Sequence, residues 1–222
     1  MKLVKTSLLT FWATSVKLIS ALIINKAVAI YIGPSGLALI GQFQNFIQLV
    51  MIGGQGAINA GVTKYTAEYG SEDNRIPRLF GASARISLVC TFVLSLILIS
   101  FSNSLAIYLL GSESYGYIIN LFALLLIFFV VNNLLLSILN GLKEVNTWVK
   151  ISIIQSILGL IITITLILFL DLEGVLIALA INQSLVCLAL IWMLRKHTII
   201  TVGAFCAKFD PVETKKLLGR SE

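Results

Sequence analysis

The chain has 222 residues, of which 58 % are hydrophobic and only 12 % charged, with a formal net charge of +6. Soluble domains carry roughly 25 % charged residues, so this composition excludes a water-facing fold that hides all of its apolar surface in one core and makes lipid the natural solvent. The positive charge does not call for a nucleic-acid partner, because the basic residues follow a membrane topology.

A helical span needs about 20 mostly apolar residues. Six stretches qualify: 6–32, 37–62, 81–109, 117–140, 148–170 and 174–194. The first is longer than the roughly 7–15 apolar residues of a cleavable signal peptide and has no small-x-small cleavage site after it, so it reads as a permanent span. Lys17 stands eleven residues into it, close to mid-membrane. A cation there costs roughly 2.5–3.5 kcal/mol on insertion scales and implies a partner or a wet cavity. No Asp or Glu lies deep in any span, so an anionic ligand is the natural counter-charge, with amides and water as the alternative. Lys26 lies nearer the other end, where its stem can snorkel, and nine residues from Lys17 on the opposite helix face.

The turn Gly33-Pro34-Ser35-Gly36 ends the first span, since Pro34 disfavours helix at the residue before it. The second span carries Gln44, Gln48, Gln55 and Asn59, which fall within roughly 60° of one another at helical spacing. Interhelical hydrogen bonds account for one or two such amides. A stripe of four over about 22 Å, at roughly 1.5 Å per residue, points instead to a cavity wall. The polar loop from Gly70 to Asn74 follows, and its acids Glu72 and Asp73, with Glu68, read as a solvated cluster. Arg85 lies one turn inside the third span, where snorkelling and a cavity role both fit. Gly111 to Ser114 divides the third span from the fourth, which places Asn133, Ser137 and Asn140 on one face. The fifth span has Ser152, Ser156, Gly159 and Thr163 on one face, a small stripe suited to close packing. Asp171-Leu172-Glu173-Gly174 is a tight hairpin before the sixth.

With the N-terminus inside, the inner segments hold thirteen Lys and Arg residues from Lys2 to Arg220, and the outer loops hold none. That one-sided distribution is a positive-inside signal and predicts both ends in the cytoplasm. Trp12, Trp148 and Trp192 fall near the inner interface, and Tyr31, Tyr108, Tyr115 and Tyr117 near the outer one, as expected of aromatic belts. Cys90, Cys187 and Cys206 show no C-x-x-C pair and read as small packing residues without a disulfide or metal role. His197 carries no evident chemistry. There is no nucleophile elbow, P-loop, H-E-x-x-H motif or paired intramembrane carboxylate, so the chain is not expected to be an enzyme, to use bound ATP or to need a cofactor or metal.

Taken in order, the residues resemble a known family. The stretches are KTSLLTFWATSVKLISALIINKAVAIYIGPSGLALIGQFQNFIQLV, GGQGAINAGVTKYTAEY, NLLLSILNGLKE and LEGVLIALA, with the GPSGL turn and the NAGVTKY end of the second span the most specific. They are similar to the N-terminal half of O-antigen and enterobacterial common antigen translocases, in the polysaccharide branch of the multidrug/oligosaccharidyl-lipid/polysaccharide exporter superfamily. The resemblance implies an all-α polytopic membrane protein: a six-helix lobe over 1–197, with a cytoplasmic tail or linker over 198–222. Two such lobes would form a V around a central cavity. It implies a flippase carrying an undecaprenyl-pyrophosphate-linked oligosaccharide, such as an O-antigen unit, from the cytoplasmic to the periplasmic face of the bacterial inner membrane. Lys17, Lys26 and Arg85 are the positions that could give the cavity its positive charge. The family runs to about twice this length, so the resemblance also implies a C-terminal lobe or a second copy. Two alternatives remain at this stage. One is a drug or cation antiporter of the same superfamily, which favours intramembrane acids. The other is a membrane scaffold holding glycosyltransferases or an O-antigen polymerase, which would bury the amide stripe dry.

Overall fold

The computed structural model describes residues 2–56, 58–69, 75–194, 214 and 217. Most of the expected tail, with His197 and Cys206, lies outside the described residues, as do Glu72, Asp73 and the side chain of Trp192. Without water, each backbone amide in the hydrocarbon layer must find its partner within the chain, and helices provide this locally. The described residues accordingly form helices: α1 (Lys2–Tyr31), α2 (Pro34–Gly54), α3 (Asn59–Tyr69), α4 (Ile76–Ser100), α5 (Ser102–Leu110), α6 (Gly116–Gly141) and α7 (Val145–Leu194). A short 3₁₀ turn, Glu113–Tyr115, leads into α6.

Two expected spans are each divided. The stretch 37–62 is α2 and α3, because the chain leaves the helix after Gly54, passes through Gly56 at φ 62° and restarts at Asn59. Thr91 Oγ1 donates to the carbonyl of Gly54 at 3.2 Å and so serves an acceptor at this helix end. The stretch 81–109 is α4 and α5, broken at Phe101.

The 50 residues of α7 fold back on themselves at Asp171, whose φ of 50° and ψ of −125° are non-helical. Gly174 lies against Leu166, and Gly159 against Asn182. Both pairs are centred near residue 170, as the two antiparallel limbs of a hairpin require. Among the described residues, five helices are long and apolar enough to cross a membrane. Because each limb of α7 also exceeds the about 20 residues needed, the chain makes six membrane-length passes.

The turns at 33–34, 111–116 and 171 meet at one end of the bundle. There Tyr117 donates to Glu173 at 3.1 Å and Asn103 to Glu113 at 2.9 Å. At the other end α3 packs on α6, with Thr63 Oγ1 donating to the Ser137 carbonyl at 3.2 Å. The core follows α6, half of whose apolar window is buried. Phe43, Phe122 and Phe129 form an edge-to-face series through its middle, with ring centroids 6.3 and 5.3 Å apart. α1 is the opposite case. Only 11 % of its window is buried, and it packs chiefly along α7. Leu8, Phe11, Leu22, Phe92 and Phe169 are among many large exposed apolar side chains. Such a surface is unlike that of a soluble monomer and matches acyl chains.

Candidate functional site

An open cavity of about 540 Å³ lies between α1, α6 and both limbs of α7. Helical periodicity builds each wall. Along α1, Ala13, Thr14, Lys17, Ser20, Ala21 and Ile24 recur at spacings of three and four and so share one face. Along the first limb of α7, Trp148, Ser152, Gln155, Ser156 and Gly159 do the same. The second limb adds Asn182 and Gln183, and α6 adds Asn133 and Leu136. Among the described residues, Lys17 is the one charged side chain of this lining, and no carboxylate belongs to it.

The amides are unevenly satisfied. Gln155 Nε2 donates to Asn132 Oδ1 at 3.2 Å, while Asn132 Nδ2, fully buried behind it, has no partner. Asn182 Oδ1 is likewise buried and unpartnered. Asn133 Nδ2 reaches the Phe129 carbonyl at 3.4 Å, and Ser156 Oγ donates to the Ser152 carbonyl at 2.9 Å. Leaving one buried partner stranded costs about 1–3 kcal/mol, whereas replacing both partners by apolar groups is nearly neutral. Gln155→Leu is therefore expected to lower stability by about that amount, and Asn132→Leu combined with Gln155→Leu to recover most of it. Thermal unfolding of the four proteins of this cycle in one detergent is the measurement.

Of the side chains singled out in the sequence, Lys17 and Asn133 meet in this cavity. The others do not. Lys26 is exposed on the far face of α1, as a separation of nine residues dictates. Gln44 and Gln48 are exposed on α2, which supplies none of the lining. Gln55 is the C-cap of α2, and its Oε1 accepts a short hydrogen bond from Asn59 Nδ2. The stripe of four amides is thus not one continuous wall, because α2 stops at Gly54, between the second and third amides, and Asn59 opens α3. Arg85 is half-buried on α4, outside the cavity lining. The cavity expected from Lys17 and the amide stripe lies instead between the first, fourth, fifth and sixth spans, because α1 packs chiefly along α7, while α2 packs most extensively against α4 and touches α1, α5, α6 and α7 less. The small stripe of the fifth span is cavity wall at Ser152, Ser156 and Gly159, while Gly159 and Thr163 are also buried against neighbouring helices, as close packing requires. Gln155, Asn182 and Gln183 were not singled out, although each is an amide deep in an apolar span, the same signal that marked Asn133.

No protein-family model matches the chain. It is 28 % identical over 211 residues to the Lipid III flippase of Escherichia coli (strain K12), and equally to that of Shigella flexneri. The match takes in 95 % of this chain and 50 % of each relative, so the chain spans about half the length of the curated relatives it matches. Its fold superimposes on a solved MOP superfamily transporter from Pyrococcus furiosus with a TM-score of 0.76 and 20 % identity, over 97 % of this chain and 49 % of that one. The all-helical architecture is that of half such a transporter.

Proposed function

We propose that the chain is the N-terminal lobe of a flippase for a lipid-linked oligosaccharide, and that Lys17 meets the anionic headgroup. The observation that carries this reading is the cavity itself. It holds a single cation and a wall of amides, hydroxyls and one tryptophan, with no acid among its described residues to neutralise the lysine. An unpaired ammonium at bilayer depth is costly, and a pyrophosphate linkage relieves that cost. The similarity to the Lipid III flippases supports the same substrate class. In this proposal the substrate is an undecaprenyl-pyrophosphate oligosaccharide, moved from the cytoplasmic to the periplasmic face of the inner membrane. Both ends of the chain are cytoplasmic, and the lipid tail stays in the bilayer. Rocking against a second lobe supplies alternating access. An acid-free cavity disfavours a cation antiporter.

Expression in a bacterial strain lacking its own flippase for such a lipid is expected to restore surface polysaccharide when the second lobe is supplied with it. Protein that reaches the membrane and restores none refutes the reading. Water access separates a flippase from a dry scaffold. With the native cysteines replaced by serine, Thr14→Cys and Ser152→Cys are expected to react with a membrane-impermeant maleimide. A Leu126→Cys control, in the core of α6, stays unlabelled.

A further inference from the structure

Three arginines, Arg75, Arg78 and Arg85, stand at and just inside the start of α4, and none belongs to the cavity lining. Helical spacing decides where they point. The buried side chains Leu79, Ser83, Ser87 and Thr91 recur at every fourth residue and turn one face of α4 inward, toward α2 and α6. On the opposite side Arg78, Arg85, Val89, Phe92 and Leu96 recur at spacings of seven, four, three and four, and so share a second face. Arg78 and the three apolar members are exposed, and Arg85 is half-buried. α4 itself carries no Asp or Glu. The outward face is therefore cationic near one end and apolar along the rest.

A phospholipid has the same order of charge and hydrocarbon. α4 is 25 residues long, about 37 Å at roughly 1.5 Å per residue. Its start thus stands at headgroup level when its middle lies in a hydrocarbon core about 30 Å thick. Helical side chains tilt toward the helix N-terminus, so the long Arg85 side chain runs back toward Arg78 and brings its head to the polar boundary. Arg75 stands one turn before Arg78, its guanidinium 4.1 Å from the centroid of the Tyr69 ring. Such stacking engages the flat face of a guanidinium, whereas its N–H donors lie in the plane, at the edge that grips phosphate. Val89 and Phe92, one and two turns beyond Arg85, continue the face as a bed for an acyl chain. A free phosphate or an acidic peptide would meet the cations and leave the apolar run uncovered.

We propose that this face of α4 holds an anionic phospholipid, with Arg78 and Arg85 on its phosphate and Val89 and Phe92 along its chain. The site is independent of what the protein carries, and on the topology proposed above it belongs to the inner leaflet. In the 222-residue chain Trp12, Trp148 and Trp192 are replaced by Phe, and Val89→Trp supplies the sole indole. The protein is placed in phosphatidylcholine nanodiscs containing either phosphatidylglycerol or phosphatidylcholine with brominated chains, because bromine quenches an indole only on contact. Brominated phosphatidylglycerol is expected to bind beside the indole about fivefold better, the preference that one cation confers near an anionic surface. A Leu124→Trp control, on the exposed side of α6, a helix without charged residues, is expected to show no preference. Arg78→Gln with Arg85→Gln is expected to erase the preference at Val89→Trp, while quenching by brominated phosphatidylcholine stays unchanged and reports an intact helix face. Sodium chloride at about 0.5 M, which screens exposed charges, is expected to weaken the preference without any substitution. Equal quenching by the two lipids at Val89→Trp overturns the site. So does a preference that survives both the double substitution and salt, or an equal preference at Leu124→Trp.

Discussion

Replacing Lys17 by Ala is expected to abolish translocation and leave the protein in the membrane at its usual amount. The two halves of that expectation have one origin. An ammonium deep in a span costs roughly 2.5–3.5 kcal/mol to insert, and Lys17 belongs to a lining with no carboxylate to offset it. Its removal therefore costs the resting fold nothing and relieves a burden. What is lost, on the proposed flippase reading, is the positive charge that Lys17 would offer to the substrate anion. Loss of even about 2.7 kcal/mol of differential binding corresponds to a hundredfold in rate, enough to empty a surface-polysaccharide assay. Lys17→Arg keeps the charge and is expected to retain partial function. Quantitative immunoblotting of membranes beside the polysaccharide assay decides the matter, and wild-type polysaccharide with Lys17→Ala removes this residue from the mechanism.

The second large effect is structural. Gly174→Ala is expected to reduce the folded protein in membranes severalfold. A Cβ at this position would collide with the Leu166 carbonyl oxygen, a backbone atom that no rotamer change can move aside. The limbs of α7 would have to separate next to the reversal at Asp171. Overpacking a tight contact costs typically 1–3 kcal/mol, and losses of about 1–2 kcal/mol already change cellular abundance severalfold. Because Gln155 and Asn182 stand on opposite limbs, the cavity should deform as well. The recovery of monodisperse protein by size-exclusion chromatography in detergent measures the effect. Unchanged recovery means that the hairpin accommodates a methyl group.

The membrane character and the reversal of α7 were legible in the sequence for physical reasons. Bilayer thickness sets span length, and an Asp-Leu-Glu-Gly cluster between two apolar runs has no comfortable place inside one. Lys17 and Asn133 could be marked as costly residues wherever they faced. What they face could not be read. Periodicity assigns a residue to a side of its own helix and is silent on the neighbour that covers that side. Lys17 and the amide stripe suggest that the first two spans wall a cavity together, whereas α1 packs chiefly along α7, more than a hundred residues away in sequence. The break after Gly54 had a visible signal in Gly53, Gly54 and Gly56. The break at Phe101 had a weaker signal in the polar cluster of Ser100, Ser102, Asn103 and Ser104.

The slight burial of α1 has a consequence for biogenesis. Ribosomes deliver α1 well before α7, the partner it leans on. At about 5–20 residues per second, roughly 8–33 s of synthesis separate Lys17 from Asn182. Throughout that interval α1 waits with its lysine unaccompanied by the wall it will eventually line. Its mostly apolar surface, which the finished bundle scarcely covers, is what lets the newborn segment endure the delay.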